Sequence, residues 1–587
     1  MNTCIFDTRI VRQKRMNTLA FACLSGAGRR MIIASLWIAI VLVMAPIPSF
    51  AQSATDEEPL APSLYPPVDV PEWTPPVNDL FHADGAFAVY DVATGEESME
   101  TVLIDDLALA VEEAQSIGGL LDEGSVATAV ADGEAIMAPD QFSALTLVSA
   151  PEVYPWRPNV RLFITWQNGS MGTCSGVLIE PKWVLTAGHC VHQGAGGNWA
   201  KSIRVVPAYH DGKEPYSYAY SERVYSHTGW TQSTDFNFDM GMIRLEWPIG
   251  ANVGWHGYGY NNNNSFFLNS SFYSPGYPAE NPYNGEKMYF WSGKYDSVDQ
   301  YIVRQTRTGY RGQSGSGSYA MSSTNARVVY ATHSHRTARG ETGMTRLTKW
   351  WFDYITTSIA QNTPTRVDLM PLSLSTSSQK VTAGNTVPQI DVFLHNYSSA
   401  AMNGNVSVQF YLSRDRNVAP SDILLGTRSF PLSLTAKRAT TVHAQGLAIP
   451  ETANGAYWLG VIITTADANA ANNTLMSRLT VPITVDPLIL PPPSGVNVEV
   501  RSQEIILRWT PVNRAVSYRV WRTAPGQQAE SLGTTQSTNF TDASAVWGVT
   551  YTYSVQSMSP SGIASSMSGP ITAALKVYRV FMPLVVH

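Results

Sequence analysis

Three short motifs in a fixed order constrain this chain more than any other feature. Thr173-Cys-Ser-Gly-Val-Leu-Ile179 leads into Trp183-Val-Leu-Thr-Ala-Gly-His-Cys190. Phe238-Asp-Met-Gly-Met-Ile-Arg-Leu245 follows, then Gly312-Gln-Ser-Gly-Ser-Gly317. Around them lie short strand-like runs, Val160–Trp166, Ile203–Pro207, Tyr301–Arg307 and Arg327–Thr332, separated by Gly, Asn and Pro turns, a pattern of β-rich architecture. The stretch Leu347–Ile359 reads as one helix with Trp351, Tyr354 and Ile355 on a single face. Asn261–Asn264 is a polar loop in which no function is read.

The motifs hold the parts of a nucleophilic site. A serine hydroxyl is a poor nucleophile near neutrality; it needs an imidazole to take its proton and a carboxylate to orient that imidazole. A developing oxyanion needs fixed donors, which backbone N–H groups in a Gly-flanked turn supply. Ser314 lies in such a turn, with Gly312 and Ser314 as the two amide donors. Cys174 and Cys190 are the two cysteines left once Cys4 and Cys23 are lost with a leader, and an even pair in an exported protein reads as a disulfide fixing the turn that carries His189. A Cys/His metal centre has too few ligands at suitable spacing, so no metal and no cofactor is expected.

The order His, Asp, Ser, with Thr-Ala-Gly-His-Cys and Gly-x-Ser-Gly, resembles the chymotrypsin-like (trypsin-like) serine peptidases over residues 135–362. Gly312-Gln-Ser-Gly-Ser316 and Tyr154-Pro-Trp-Arg157 resemble most the bacterial V8-like glutamyl endopeptidases. The resemblance implies an all-β fold with a double β-barrel, His189 as general base and then acid, Asp239 as orienting carboxylate and Ser314 as nucleophile. Asp235 is a rival carboxylate, but Asp239 directly precedes the strand that begins at Met240. Gly317 stands where the family usually has proline. Thr308, six before the nucleophile, is not the acid of a trypsin-like pocket, which argues against Arg/Lys preference. His333, at the end of Val328–His333, would bind an acidic P1 residue with Thr308. The family's threonine lies one position later, where this chain has Gly309, and His335 is a second candidate. Ile136–Asp140 resembles the start of mature relatives, which places a cut near Glu134.

Charge is segregated along the chain. The 587 residues carry a net −7. Residues 1–51 are net +5, residues 52–150 hold twenty Asp and Glu with no Lys or Arg, and residues 151–587 are net +8. No clustered basic stripe suits nucleic acid. The apolar run Met31–Met44 follows Arg29 and Arg30 and precedes Ser49-Phe-Ala51, the order of a cleaved secretory signal. The run is short of the ~20 residues needed to cross a bilayer, so no stable membrane span is expected after cleavage. Residues 1–51 are thus leader and signal peptide. Residues 52–134 read as an acidic pro-segment, with Pro59–Pro76 at its start and an amphipathic stretch Val102–Leu121.

Two modules follow. Residues 366–486, with Tyr411-Leu-Ser-Arg-Asp415 and Asp467-Ala-Asn-Ala-Ala-Asn-Asn473, resemble CARDB-type immunoglobulin-like β-sandwiches. Residues 491–574, with Leu507-Arg-Trp509, Ser517–Arg522 and Gly548–Val555, resemble a fibronectin type III domain, in which Trp509 fills the core and Tyr551 takes the tyrosine-corner position. Residues 575–587 form a short apolar tail. The expectation is an extracellular serine endopeptidase acting on proteins or peptides, with matrix or cell-surface ligands for the sandwiches. The alternative is an inactive protease-like adhesin.

Overall fold

The computed structural model describes residues 86–100, 145–307, 309–322, 326–337 and 339–575. The export signal, Val102–Leu121, Ile136–Asp140, Thr308 and nearly all of the tail lie outside these residues.

The first sheet is built from β1 (Phe87–Asp91), β2 (Glu97–Glu100), β4 (Asn159–Trp166), β5 (Met171–Glu180), β6 (Trp183–Thr186), β7 (Ala200–Pro207), β8 (Ala219–His227) and β9 (Gly241–Leu245), while β3 (Thr146–Leu147) joins the second sheet. Six of them close on themselves in the order β8-β7-β4-β5-β6-β9, with β9 returning to β8. Alternation in β4 explains its place: Val160, Leu162 and Ile164 are buried in the core. On the other face the Arg161 guanidinium lies over the rings of Phe163 and Tyr209 and pairs with Glu286 at 2.9 Å. Strand β6 is buried at every residue, as expected of a strand covered on both faces.

The second half comprises β10 (Gly257–Tyr258), β11 (Phe272–Gly276), β12 (Tyr289–Gly293), β13 (Ser297–Val298), β14 (Ile302–Gln305), β15 (Gly317–Met321), β16 (Arg327–Arg336) and β17 (Thr342–Arg346). They form a nine-stranded sheet in the order β13-β14-β17-β16-β15-β11-β12-β3, with β10 on β16. The strand expected at Arg327–Thr332 runs four residues further, to Arg336, and carries an irregularity between His333 and His335. The helix spans Lys349–Gln361, starting two residues later than expected because Thr348 is extended. Trp351, Tyr354 and Ile355 face inward and join Trp183, Leu185 and Tyr225 in one apolar cluster. The Asn261–Asn264 loop is pinned by Arg346, which donates to the Asn261 carbonyl and, at 3.0 Å, to Asn264 Oδ1.

One element lies inside the expected pro-segment. The hairpin β1–β2 joins the first barrel along β8, in register from Phe87 opposite His227 to Asp91 opposite Arg223. Phe87, Ala88 and Val89 are buried, and sinking a phenylalanine side chain stabilises by about 1.5–3 kcal/mol.

Two further β bodies complete an all-β architecture. The first pairs a three-stranded sheet (Leu369–Thr376, Ile390–Asn396, Ala439–Ala444) with a five-stranded one. Its core is continuous with that of the first barrel. Lys437 pairs with Glu180 at 2.8 Å, both side chains nearly buried, and Arg478 pairs with Glu246 at 2.5 Å beside the rings of Tyr218 and Trp247. The second body stacks a three- and a four-stranded sheet over a core holding Trp509 and Tyr518. The Tyr551 hydroxyl accepts from the Val546 N–H at 3.3 Å. Among the described residues no helix is long and apolar enough to cross a membrane.

Candidate active site

His189 sits in a short 3-10 turn, Gly188–Cys190, directly after β6. The Cys174–Cys190 disulfide is formed and ties this turn to β5. Asp239 ends a second 3-10 turn, Phe236–Phe238, just before β9. Because β6 pairs with β9, Thr186 opposite Gly241, the two turns emerge side by side.

The geometry that results is specific. Asp239 is fully buried. Its Oδ2 lies 2.8 Å from His189 Nδ1, and its Oδ1 accepts the His189 backbone N–H at 2.7 Å. A carboxylate can only accept, so Nδ1 carries the proton and the lone pair stays on Nε2. Burial opposes charge on both groups, but their mutual attraction and hydrogen bonds outweigh it. The His189 imidazole is thereby raised above its ordinary value and the Asp239 carboxyl held below its own. Asp235 is not part of this pairing: its side chain caps its own turn by accepting from the Asn237 N–H at 2.9 Å.

A third donor holds the carboxylate, and the motif reading missed it. Ser334 Oγ donates to Asp239 Oδ2 at 2.5 Å. Ser334 is the extra residue where the β16–β17 register shifts between His333 and His335, and such a bulge re-aims a side chain. The one available signal was a hydroxyl next to His333 in a strand-like run.

Ser314 lies on the loop entering β15. Glycines 312 and 315 both have positive φ, +91° and +82°. A Cβ on Gly312 would strike the Tyr277 carbonyl, and one on Gly315 would strike the Ser175 carbonyl, so only glycine fits at either position. The loop is clamped to the first barrel by Ser175, whose N–H donates to the Ser314 carbonyl and whose hydroxyl donates to the Gly312 carbonyl, both at 2.7 Å. Cys190, the residue after His189, lies with its sulfur 3.7 Å from the Ser314 carbonyl, so imidazole and hydroxyl belong to neighbouring backbones. The amides of Gln313 and Gly315 are committed to the Tyr310 and His333 carbonyls.

His333 is buried, and neither ring nitrogen has a hydrogen-bond partner among the described residues. Burial, reinforced by His189, His335 and Arg307 nearby, drives it down to about 3. A Cβ at Gly309 would collide with His333 Nε2, which explains why this chain has glycine where the resemblance predicts threonine. Thr308, the other residue expected in the pocket, lies outside the described residues. His335 turns away, its Nδ1 3.0 Å from Ser334 Oγ and its ring against Phe236.

Among the described residues, one group of three side chains could in principle gather around a metal: Cys174, His189 and Cys190. Both sulfurs are consumed by the disulfide, and Nδ1 of His189 by Asp239. This donor set does not fit a metal centre.

Residues 153–343 match the family model described as Trypsin. The chain is 34% identical over 192 residues to an extracellular metalloprotease of Bacillus subtilis, matching 32% of this chain and 60% of that protein. It is 31% identical over 217 residues to a glutamyl endopeptidase of Bacillus licheniformis, matching 36% of this chain and 66% of that protein. It thus spans under two thirds of the length of either relative. A solved Glu endopeptidase structure, in complex with MPD, aligns at 22% identity and a TM-score of 0.33, covering 36% of this chain and 95% of that one. Over residues 153–343 the chain is thus similar to the trypsin-like serine proteases.

Proposed function

We propose that this protein is an extracellular serine endopeptidase that hydrolyses peptide bonds through an acyl-enzyme and prefers acidic P1 residues. The observation that carries this reading is the buried Asp239, bonded to both the Nδ1 and the backbone N–H of His189.

In the proposed mechanism Ser314 Oγ attacks the scissile carbonyl while His189 Nε2 takes its proton. The carbonyl oxygen, now negative, is held by the Gly312 and Ser314 amides. The imidazolium, stabilised by Asp239, returns the proton to the leaving amine as the C–N bond breaks. Water then enters, gives a proton to His189 and attacks the acyl-enzyme; breakdown returns that proton to Ser314 Oγ and frees the carboxylic acid product. Asp239 keeps its charge throughout.

For the P1 side chain, His333 offers a buried ring beside Gly309, with no hydrogen-bond partner for its nitrogens among the described residues. A substrate carboxylate would accept a hydrogen bond from that ring and favour its protonation, giving a charge-assisted bond. The glutamyl endopeptidase relative supports this assignment. The Met31–Met44 signal and the acidic block support export as a zymogen with an N-terminal pro-segment.

The test is to incubate purified, processed protein with a peptide library beside a Ser314→Ala control and map the cut sites by mass spectrometry. Cleavage after Glu or Asp that the substitution abolishes is the expected result. Cleavage after other residues would discard the acidic preference and keep the triad. A folded, processed sample that cuts nothing would overturn the enzyme reading in favour of a protease-like binding protein.

A further inference from the structure

The hairpin β1–β2 stands upstream of the cut expected near Glu134, yet it is seated in the barrel that carries His189 and Asp239. Strand β1 pairs with the last five residues of β8, on the edge opposite β9. Without it those residues would present open backbone donors and acceptors. The seam extends past the strand at both ends: Thr228 N–H donates to the Ala86 carbonyl at 3.1 Å, and Val92 N–H to the Glu222 carbonyl at 2.9 Å.

Side chains lock it from both faces. Phe87 fills an aromatic socket, stacked on Trp350 and Tyr354 and edge-on to Trp351 and His227. Tyr90 stacks on Trp199 and its hydroxyl accepts from Gln167 Nε2 at 3.0 Å. The hairpin's acids meet donors of the body: Asp91 pairs with Arg223 at 3.0 Å, and the Tyr354 hydroxyl donates to Glu100 at 3.0 Å. The acidic block 52–150, which has no Lys or Arg, is opposite in charge to residues 151–587, net +8.

The seat also reaches the catalytic carboxylate. His227, edge-on to Phe87, stacks face to face on Phe238 at 4.1 Å, and Phe238 immediately precedes Asp239. Ser226, opposite Ala88 in the ladder, donates through Oγ to the Met240 carbonyl at 3.1 Å, on the other side of Asp239. The two β8 residues that bracket the Asp239 turn are thus paired with the first two residues of the hairpin strand.

We infer that the hairpin Phe87–Glu100 is a permanent part of the catalytic body, staying seated when the chain is cut downstream of it, with Phe87 a positioning residue for the Asp239 turn. The mature enzyme is then two chains held without a covalent link, and the cut near Glu134 leaves Phe87–Glu100 in the barrel. This rests on the serine peptidase reading above.

Two measurements test it. In full-length Ser314→Ala protein, the recognition sequence of a foreign site-specific endopeptidase is placed between Glu100 and Leu145, cut, and the product run on size exclusion at raised salt. The N-terminal fragment is expected to co-elute with the body; a fragment that leaves a folded body behind overturns the inference. In the active chain, Phe87→Ala is expected to lower kcat about tenfold to a hundredfold with KM little changed, and Phe87→Leu to restore most of it. An unchanged kcat in Phe87→Ala overturns the positioning role. Because the co-elution experiment uses an inactive chain, a protein with no peptidase activity would sink the reading beneath this inference without touching the fragment result.

Discussion

Asp239 and His333 are both buried ionisable side chains close to His189, and the fold treats them in opposite ways. Asp239 is enclosed by donors: the His189 ring, the His189 backbone and the Ser334 hydroxyl all point at it. His333 is enclosed with no hydrogen-bond partner for either nitrogen among the described residues. A buried polar group left unpaired costs on the order of 1–3 kcal/mol. Under the proposed function, the contrast separates machinery finished before substrate arrives from a recognition surface that substrate must finish.

The strongest way to break this comparison is to spoil the finished side. Asp239→Asn keeps the shape but removes the charge and disturbs the tautomer, and kcat is expected to fall about 10⁴-fold, read by steady-state hydrolysis of a Glu-P1 peptide. An effect under tenfold would remove Asp239 from the triad. On the open side, His333→Gln is expected to lower kcat/KM for a Glu-P1 peptide by about 10–100-fold, the worth of one hydrogen bond to a charged group, while a Gln-P1 peptide changes little. Equal losses on both peptides would make His333 a packing residue.

Ser334→Ala sharpens the comparison from within the finished side. Asp239 keeps two of its three donors, and kcat is expected to drop about tenfold. The pH profile reads the same network. His189 acts as base only when neutral, and Asp239 raises its pKa, so activity is lost as pH falls through a midpoint above the ordinary histidine value. Ser334→Ala leaves the carboxylate with more of its charge to share with His189 and should move that midpoint further up; a downward shift would contradict the assignment. The smallest effect on activity is expected far from the site. Lys437→Met strands Glu180 in the seam between barrel and first sandwich and should destabilise by about 3 kcal/mol, seen as a lower Tm, with kcat unchanged.

Much of this site could be read from local sequence. Thr-Ala-Gly-His-Cys, Asp before an apolar strand, and Gly-x-Ser-Gly are turns and strand ends whose geometry is set within a few residues, so the elements bearing His189, Asp239 and Ser314 were legible. The helix face Trp351, Tyr354 and Ile355 was legible for the same reason, a period of 3.6 against a core. Ser334 and the Ser175 clamp were not, because each acts across more than ninety residues of chain. The hairpin Phe87–Glu100 was read only as part of the acidic pro-segment, since its partner strand begins at Ala219.

Local chemistry therefore set the residue types and the turns: glycines where φ must be positive, cysteines that pair sixteen residues apart, acids kept together and upstream. Long-range packing chose what those pieces do to one another. A register shift in one strand aimed Ser334 at Asp239, and an open edge on β8 took in a strand from the acidic block. Such outcomes depend on which backbones come to lie side by side, and pairing between distant segments is decided by the burial and hydrogen bonding of the whole barrel rather than by either segment's own propensity.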